Sequence, residues 1–390
     1  MPPRLVKYKQ NLDERGMPMF PKEQIDVVSD FKYDSENDEY NLDYRNWRQN
    51  TQSPYVYRYT DDPHEQIFVE GKGETKLTPI AAERTVLTRV SEIVGMSLLI
   101  FLVCEMVGGL LMLWLMQSIG VDIHLDFLSF GMNGSQWSVM LTRALVAILK
   151  FGTTYLIIQG RFQLPRSVRV PFHAGGIPEV LLAVGLAMAA ACVYCVVDSA
   201  TGGGRILADK MYDYKNAAAV VAYALFDMFV ISLMNELLFR GLMLPVLRQF
   251  GDRFAVFAIA TIAFLLPNSL PERVGEFCVG LGASYLLIKG GSIVKCVVLH
   301  IIYSALTYSR LVLVYGEGAT MSLPRFLIIM ALTVLIGCAS YCLLRNKTRS
   351  ISNKGSYLPG DMKILAFAET VSMLPWICIS ILLMIVEMFY

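Results

Sequence analysis

The stretch VGMSLLIFLVCEMVGGLLMLWLMQ, residues 94–117, decides the fold class, because its only ionisable side chain is Glu105. About 20 apolar residues in a helix cross the hydrocarbon core of a bilayer. Lipid offers the backbone no hydrogen-bond partner, so only helices or a closed barrel can satisfy it there. Comparable runs recur near 136–158, 175–198, 217–240, 253–267, 273–289, 292–315, 324–345 and 362–389. They predict an all-α, polytopic membrane helix bundle of about eight or nine transmembrane helices. The run at 253–267 is the short one: roughly 14 residues rise only about 21 Å as a helix. Pro267 and Pro271 close it off, since proline biases its predecessor away from helix.

Composition agrees with this reading. The 390-residue chain is 55% hydrophobic and only 17% charged, which disfavours a soluble enzyme. Of its 33 acids and 34 bases, 16 and 13 fall within residues 1–90. Residues 1–85 therefore read as a polar, largely flexible tail, and residues 86–390 as the transmembrane domain. A weak strand or hairpin signal lies in YVYRYTDD and EQIFVEGKGETKLTP of the tail. A net charge of +1 without a basic block argues against a nucleic-acid partner, so membrane lipid is the expected surroundings. All eight cysteines lie in apolar runs, as small hydrophobes rather than a disulfide or zinc framework; this includes the C-x-x-C of Cys192 and Cys195. The N-terminus lacks the layout of a secretory signal, so the first span is expected to act as its own anchor.

Arg and Lys in short loops set orientation. Arg84 and Arg89, then Arg161, Arg166 and Arg169, then Arg248 and Arg253, then Lys289, then Arg345, Lys347 and Arg349 alternate with loops poor in bases. This pattern predicts a cytoplasmic tail and an external C-terminus in a plasma membrane.

Ionisable groups at membrane depth are costly and therefore mark candidate sites. The candidates are Glu105, Asp227, Glu236 with Arg240, and His300. Glu236 and Arg240 stand four apart with the acid first, the favourable order for an ion pair on one helix face; such a pair serves structure as readily as function. His300 and Ser304 also share a face, and His300 could equally be a packing residue. Glu105 and Asp227 read more simply as interhelical hydrogen-bond partners. A transporter built on Glu105 and Asp227 would call for repeated broken helices, which are not seen.

Taken in order, NELLFRGLMLPVL (235–247), AFLLPNSL (263–270) and FCVGLGASYLLIKGGSIVKCVVLHIIYSAL (277–306) resemble the CPBP family of intramembrane CAAX-protease-like and bacteriocin-processing proteins. The resemblance covers about residues 217–310. That family carries E-E-x-x-x-R, F-x-x-x-H and H-x-x-x-N or H-x-x-x-D, with a glycine-rich junction before the last. Here Glu236, Arg240, Phe264 and His300 match, and GASYLLIKGGSI stands at the junction. The departures are Asn235 at the position of the water-activating glutamate, Asn268 at the middle histidine, and Ser304 at the final Asn or Asp. An amide has no lone pair basic enough to take a proton from water.

The resemblance therefore implies one of two functions. The first is a degenerate protease that acts as a scaffold, immunity or partner-binding protein for a peptide or membrane protein. The second is a working endopeptidase using Glu236 and His300, which needs the base shifted by about 100° around the helix. No cofactor is expected, zinc entering only with the second, and a bacterial membrane is the expected location.

Overall fold

A computed structural model describes residues 11–12, 18–19, 38–50, 53, 55–56, 67–68, 76–77, 79–126, 131–172, 176–201, 217–266, 269–315, 320–343 and 358–389. The helices are α1 (Asp38–Asn50), α2 (Pro79–Ser118), α3 (Gln136–Phe162), α4 (Ile177–Thr201) and α5 (Ala218–Arg248). They continue with α6 (Asp252–Leu265), α7 (Leu270–Gly290), α8 (Ile293–Arg310), α9 (Leu323–Leu343), α10 (Gly360–Ala368) and α11 (Met373–Phe389). Three short antiparallel hairpins accompany them. One pairs Ile67–Phe68 with Lys76–Leu77, inside the tail segment where the sequence hinted at strands. Another joins Ile123–Asp126 to Gly131–Gly134 between α2 and α3.

The helical, multi-pass architecture is as the apolar runs predict, but the span count is lower. Six described helices are long and apolar enough to cross a membrane, or seven if the bent pair α10 and α11 forms one span. The difference lies in α6 and α7. The former has only 14 residues. The latter has 21 but carries Glu272, Arg273, Glu276 and Lys289, and buries most of its length inside the protein. The last run, read as one span, breaks between Ala368 and Met373 with a bend of 84°.

The bundle is organised around α4, which packs against α7, α8 and α9. Small residues let these helices approach: Gly185 of α4 meets Gly337 of α9 backbone to backbone. On the periphery α2 packs on α3, α10 and α11. Outward positions are large and apolar, among them Trp114, Leu156 and Leu335, as expected for a surface solvated by lipid.

The tail is not wholly loose. Helix α1, within the segment read as flexible, buries Tyr40, Tyr44 and Trp47. It caps the end of α5, where Arg248 donates from Nη2 to Asn41 at 2.8 Å and lies 4.8 Å from the Tyr44 ring centroid. Burial pushes the Tyr40 phenol above its ordinary range, opposed by the Arg248 guanidinium. Gln249 donates to the Tyr55 carbonyl at 2.9 Å, so a tail residue beyond α1 is tied to the same place. Aromatic area gives the contact its adhesion, and a cation over a ring gives it direction. At the same end Glu83 of α2 accepts from the Leu358 backbone at 2.9 Å, and Lys363 of α10 donates to the Phe250 carbonyl at 2.6 Å.

Candidate functional site

The site is built where α5, α7 and α8 meet. Helix α5 is not regular there. Widened π-type turns occupy Asp227–Ile231 and Leu237–Met243, flanking the α-helical turn Ser232–Glu236. Each inserts a residue into the helical period and so changes which side chain faces a given neighbour, by about 100° for one residue. Glu236 faces α8 in this arrangement. Its Oε1 accepts from Arg240 Nη1 at 3.0 Å, the pairing that their spacing predicts, and lies 2.8 Å from His300 Nδ1. Glu236 is 0% and Arg240 0% exposed, so neither charge has water to fall back on.

A residue not picked out from the sequence completes this chain of contacts. Glu276 of α7 places Oε1 3.3 Å from His300 Nε2. The approach of α7 to α8 that brings it there depends on the preceding residue: a Cβ added at Gly275 would strike the Tyr303 hydroxyl. His300 thus lies between two carboxylates on two different helices, and Arg240 neutralises the deeper one. An ionised carboxylate accepts and does not donate, so the hydrogen bond to Glu236 needs a proton on Nδ1, whereas the 3.3 Å approach of Glu276 to Nε2 is an ionic contact. The signal that could have revealed Glu276 is the density of charge in α7, where Glu272, Arg273 and Glu276 crowd an otherwise apolar run. Glu272 has a local explanation, because its carboxylate accepts from the Ser269 backbone at 3.2 Å and closes a capping box. Glu276 has no such local role.

The remaining sequence candidates separate cleanly. Ser304, one turn beyond His300, lies 3.4 Å from Ser232 of α5, hydroxyl to hydroxyl. Asp227 accepts from the Tyr308 hydroxyl at 3.0 Å, an interhelical tie between α5 and α8. Glu105 pairs with Lys150 across α2 and α3, away from the site, and Lys150 also sits 5.0 Å from the Phe101 ring centroid. Asn235, beside Glu236, is 9% exposed, and its Oδ1 has no hydrogen bond among the described residues. Phe264 packs edge-on to Phe277, with 6.4 Å between ring centroids. Asn268 lies outside the described residues.

Further buried pairs not anticipated from sequence hold the bundle together. Arg310 of α8 joins Asp198 of α4, and Lys295 of α8 joins Glu179 at the start of α4. Both run from α8 to α4, the helix at the centre of the packing.

The donor set does not suit the zinc that the protease alternative would bring. Among the described residues no group of three or more His, Cys, Asp and Glu side chains is placed to hold a metal. Around His300 both ring nitrogens face carboxylates, and Glu236 is shared with Arg240, so these residues do not fit a metal-ligand set.

Residues 217–306 match the family model described as Rce1-like: Type II CAAX prenyl endopeptidase Rce1-like. The matched segment runs from the start of α5 into α8 and contains Asn235, Glu236, Arg240, Glu276, His300 and Ser304. This agrees with the CPBP-type resemblance read from the motifs: over residues 217–306 the chain is similar to CAAX endopeptidases of that type. Comparisons with curated proteins and with solved structures give no match.

Proposed function

We propose that this CAAX-protease-like protein binds rather than cuts: its inherited hydrolytic centre is silent, and it serves as a scaffold, immunity or partner-binding protein that holds a peptide or membrane-protein segment in the bundle beside His300. The observation that carries this reading is the state of the two adjacent residues on α5. Asn235 stands where the family places its base, and an amide cannot take a proton from water. Glu236, the carboxylate that remains, is buried and held between Arg240 at 3.0 Å and His300 at 2.8 Å. A carboxylate committed to a guanidinium and an imidazole serves structure first. The setting is a bacterial plasma membrane, with the tail and the loop after α9 in the cytoplasm, supported by Arg84, Arg161, Arg248 and Arg345 in alternate connections. No bound metal belongs to this reading.

The test uses the full-length chain in lipid nanodiscs with a panel of prenylated and unprenylated peptides. Photo-crosslinking reads capture, and mass spectrometry reads cleavage. Capture without cleavage is the expected result. Cleavage that disappears in Glu236→Gln at unchanged melting temperature would overturn the proposal.

A second reading has its own observation. Glu236 lies 2.8 Å from His300, the pairing on which an endopeptidase using these two residues would depend. In that reading Glu236 would take the proton of an attacking water and His300 would stabilise or protonate the departing group. The same panel decides between the two.

A further inference from the structure

The two ring nitrogens of His300 are occupied from opposite sides, and the two occupants differ in kind. Glu236, on the Nδ1 side, is 0% exposed and bound to Arg240. Glu276, on the Nε2 side, has a side chain 15% exposed and a longer contact of 3.3 Å. Its side chain is the less confined of the two. It is carried on α7, whose close approach to α8 is fixed by the lack of a Cβ at Gly275 against Tyr303. Tyr303 in turn sits edge-on to His300, 6.2 Å between ring centroids. The ring is therefore bounded by buried groups on the Glu236 and Tyr303 sides, and the remaining nitrogen is faced by the more exposed of the two carboxylates.

We propose that Glu276 is an internal cap on His300, and that the Nε2 it covers is the recognition point for a hydrogen-bond acceptor on the bound segment, a peptide carbonyl or terminal carboxylate, which binds by displacing Glu276. This deepens the binding function proposed above and rests on it for the identity of the ligand, while the cap itself is tested separately. The cap is an autoinhibitory contact within the fold: the imidazole becomes available only when the Glu276 side chain swings away. Displacement needs no covalent step, since one acceptor replaces another on the same nitrogen. Asp227 belongs to the neighbouring tie with Tyr308 and is not part of the cap.

The test probes the free imidazole directly with diethyl pyrocarbonate on the full-length chain in nanodiscs, with each histidine followed by mass spectrometry. His124, whose side chain is 71% exposed, is the internal reference. Glu276→Met fills the same space without an acceptor, so acceleration in that variant reports the freed nitrogen and not an enlarged cavity. The expected result is modification of His300 about tenfold or more faster in Glu276→Met than in the unaltered chain, the scale set by removing one partner of a buried ionic contact. Asp227→Asn, which removes a nearby charge that does not touch the ring, should leave the rate unchanged.

An unchanged rate in Glu276→Met overturns the cap. So does equal acceleration in Asp227→Asn, or an unaltered His300 as reactive as His124. If Glu276→Met does not fold, Glu276→Gln, which keeps a weaker acceptor, should give a smaller acceleration, and none would overturn the proposal. In the peptide-capture assay Glu276→Met should hold captured peptide about tenfold more tightly. If the pyrocarbonate result holds while neither form captures peptide, the cap stands and the binding function fails.

Discussion

Replacing Glu236 by Gln is the most informative perturbation of this fold. Gln keeps the size and one carbonyl acceptor, and removes the charge that Arg240 and His300 share at 3.0 and 2.8 Å. Arg240 is 0% exposed, and its Nε and Nη2 have no other hydrogen bond among the described residues, so the guanidinium loses its hydrogen-bonded counter-charge. Breaking a buried pair by removing one partner costs about 3–5 kcal/mol. At roughly 2 °C per kcal/mol, the lower end suited to a long chain, the melting temperature should fall by about 6–10 °C. The assay is a fluorescence melt in one detergent at one scan rate, because unfolding of such a protein is commonly irreversible. Replacing both charges in Glu236→Gln/Arg240→Met should recover part of that loss, giving a coupling of about 1 kcal/mol or more. His300→Ala should also destabilise, because it leaves Glu236 and Glu276 facing one another with no imidazole between. A shift below about 2 °C in Glu236→Gln, or strict additivity in the double variant, would refute a buried, mutually dependent network.

Gly185→Leu should lower yield and melting temperature sharply, since its side chain must enter the backbone of Gly337, whereas leucine at the lipid-exposed Leu335 is already accommodated. Asp198→Asn should cost several degrees in the same melt by weakening the buried pair with Arg310, with about 3 kcal/mol at stake. Tyr44→Ala should loosen α1 and speed tryptic cleavage after Arg48 severalfold, because Tyr44 carries the ring beneath Arg248; unchanged protection would show that α1 is held by other contacts. Single cysteines in the tail and at position 350, labelled in intact cells, should react only after permeabilisation, and external labelling of either would reverse the orientation read from the basic loops.

The contrast between Arg240 and Glu276 shows where sequence reading stops. Four residues along a helix fix a neighbour by backbone geometry alone, so the Glu236–Arg240 pair could be read from its spacing and is found at 3.0 Å. Membrane class and the six clear spans were equally determined, because hydrophobic length is a property of the chain and not of its packing. The identities at Asn235 and Ser304 likewise stand in the sequence whatever the fold does with them. Tertiary structure decided the rest. His300 is 64 residues from Glu236, and its meeting with Glu276 depends on the approach of α7 to α8 at Gly275. The π-type turns of α5 are invisible to a 3.6-residue period, yet they flank the turn that carries Glu236 to the imidazole. Helix α7 counted as a span by its apolar content but is largely enclosed by protein, where charge can be neutralised by partners instead of excluded by lipid. Polar residues 38–50 carry no strong apolar period, and their helix is stabilised by docking on Arg248, a contact 207 residues away in sequence. Local geometry is encoded locally; the neutralisation of buried charge is encoded only by what the completed fold brings together.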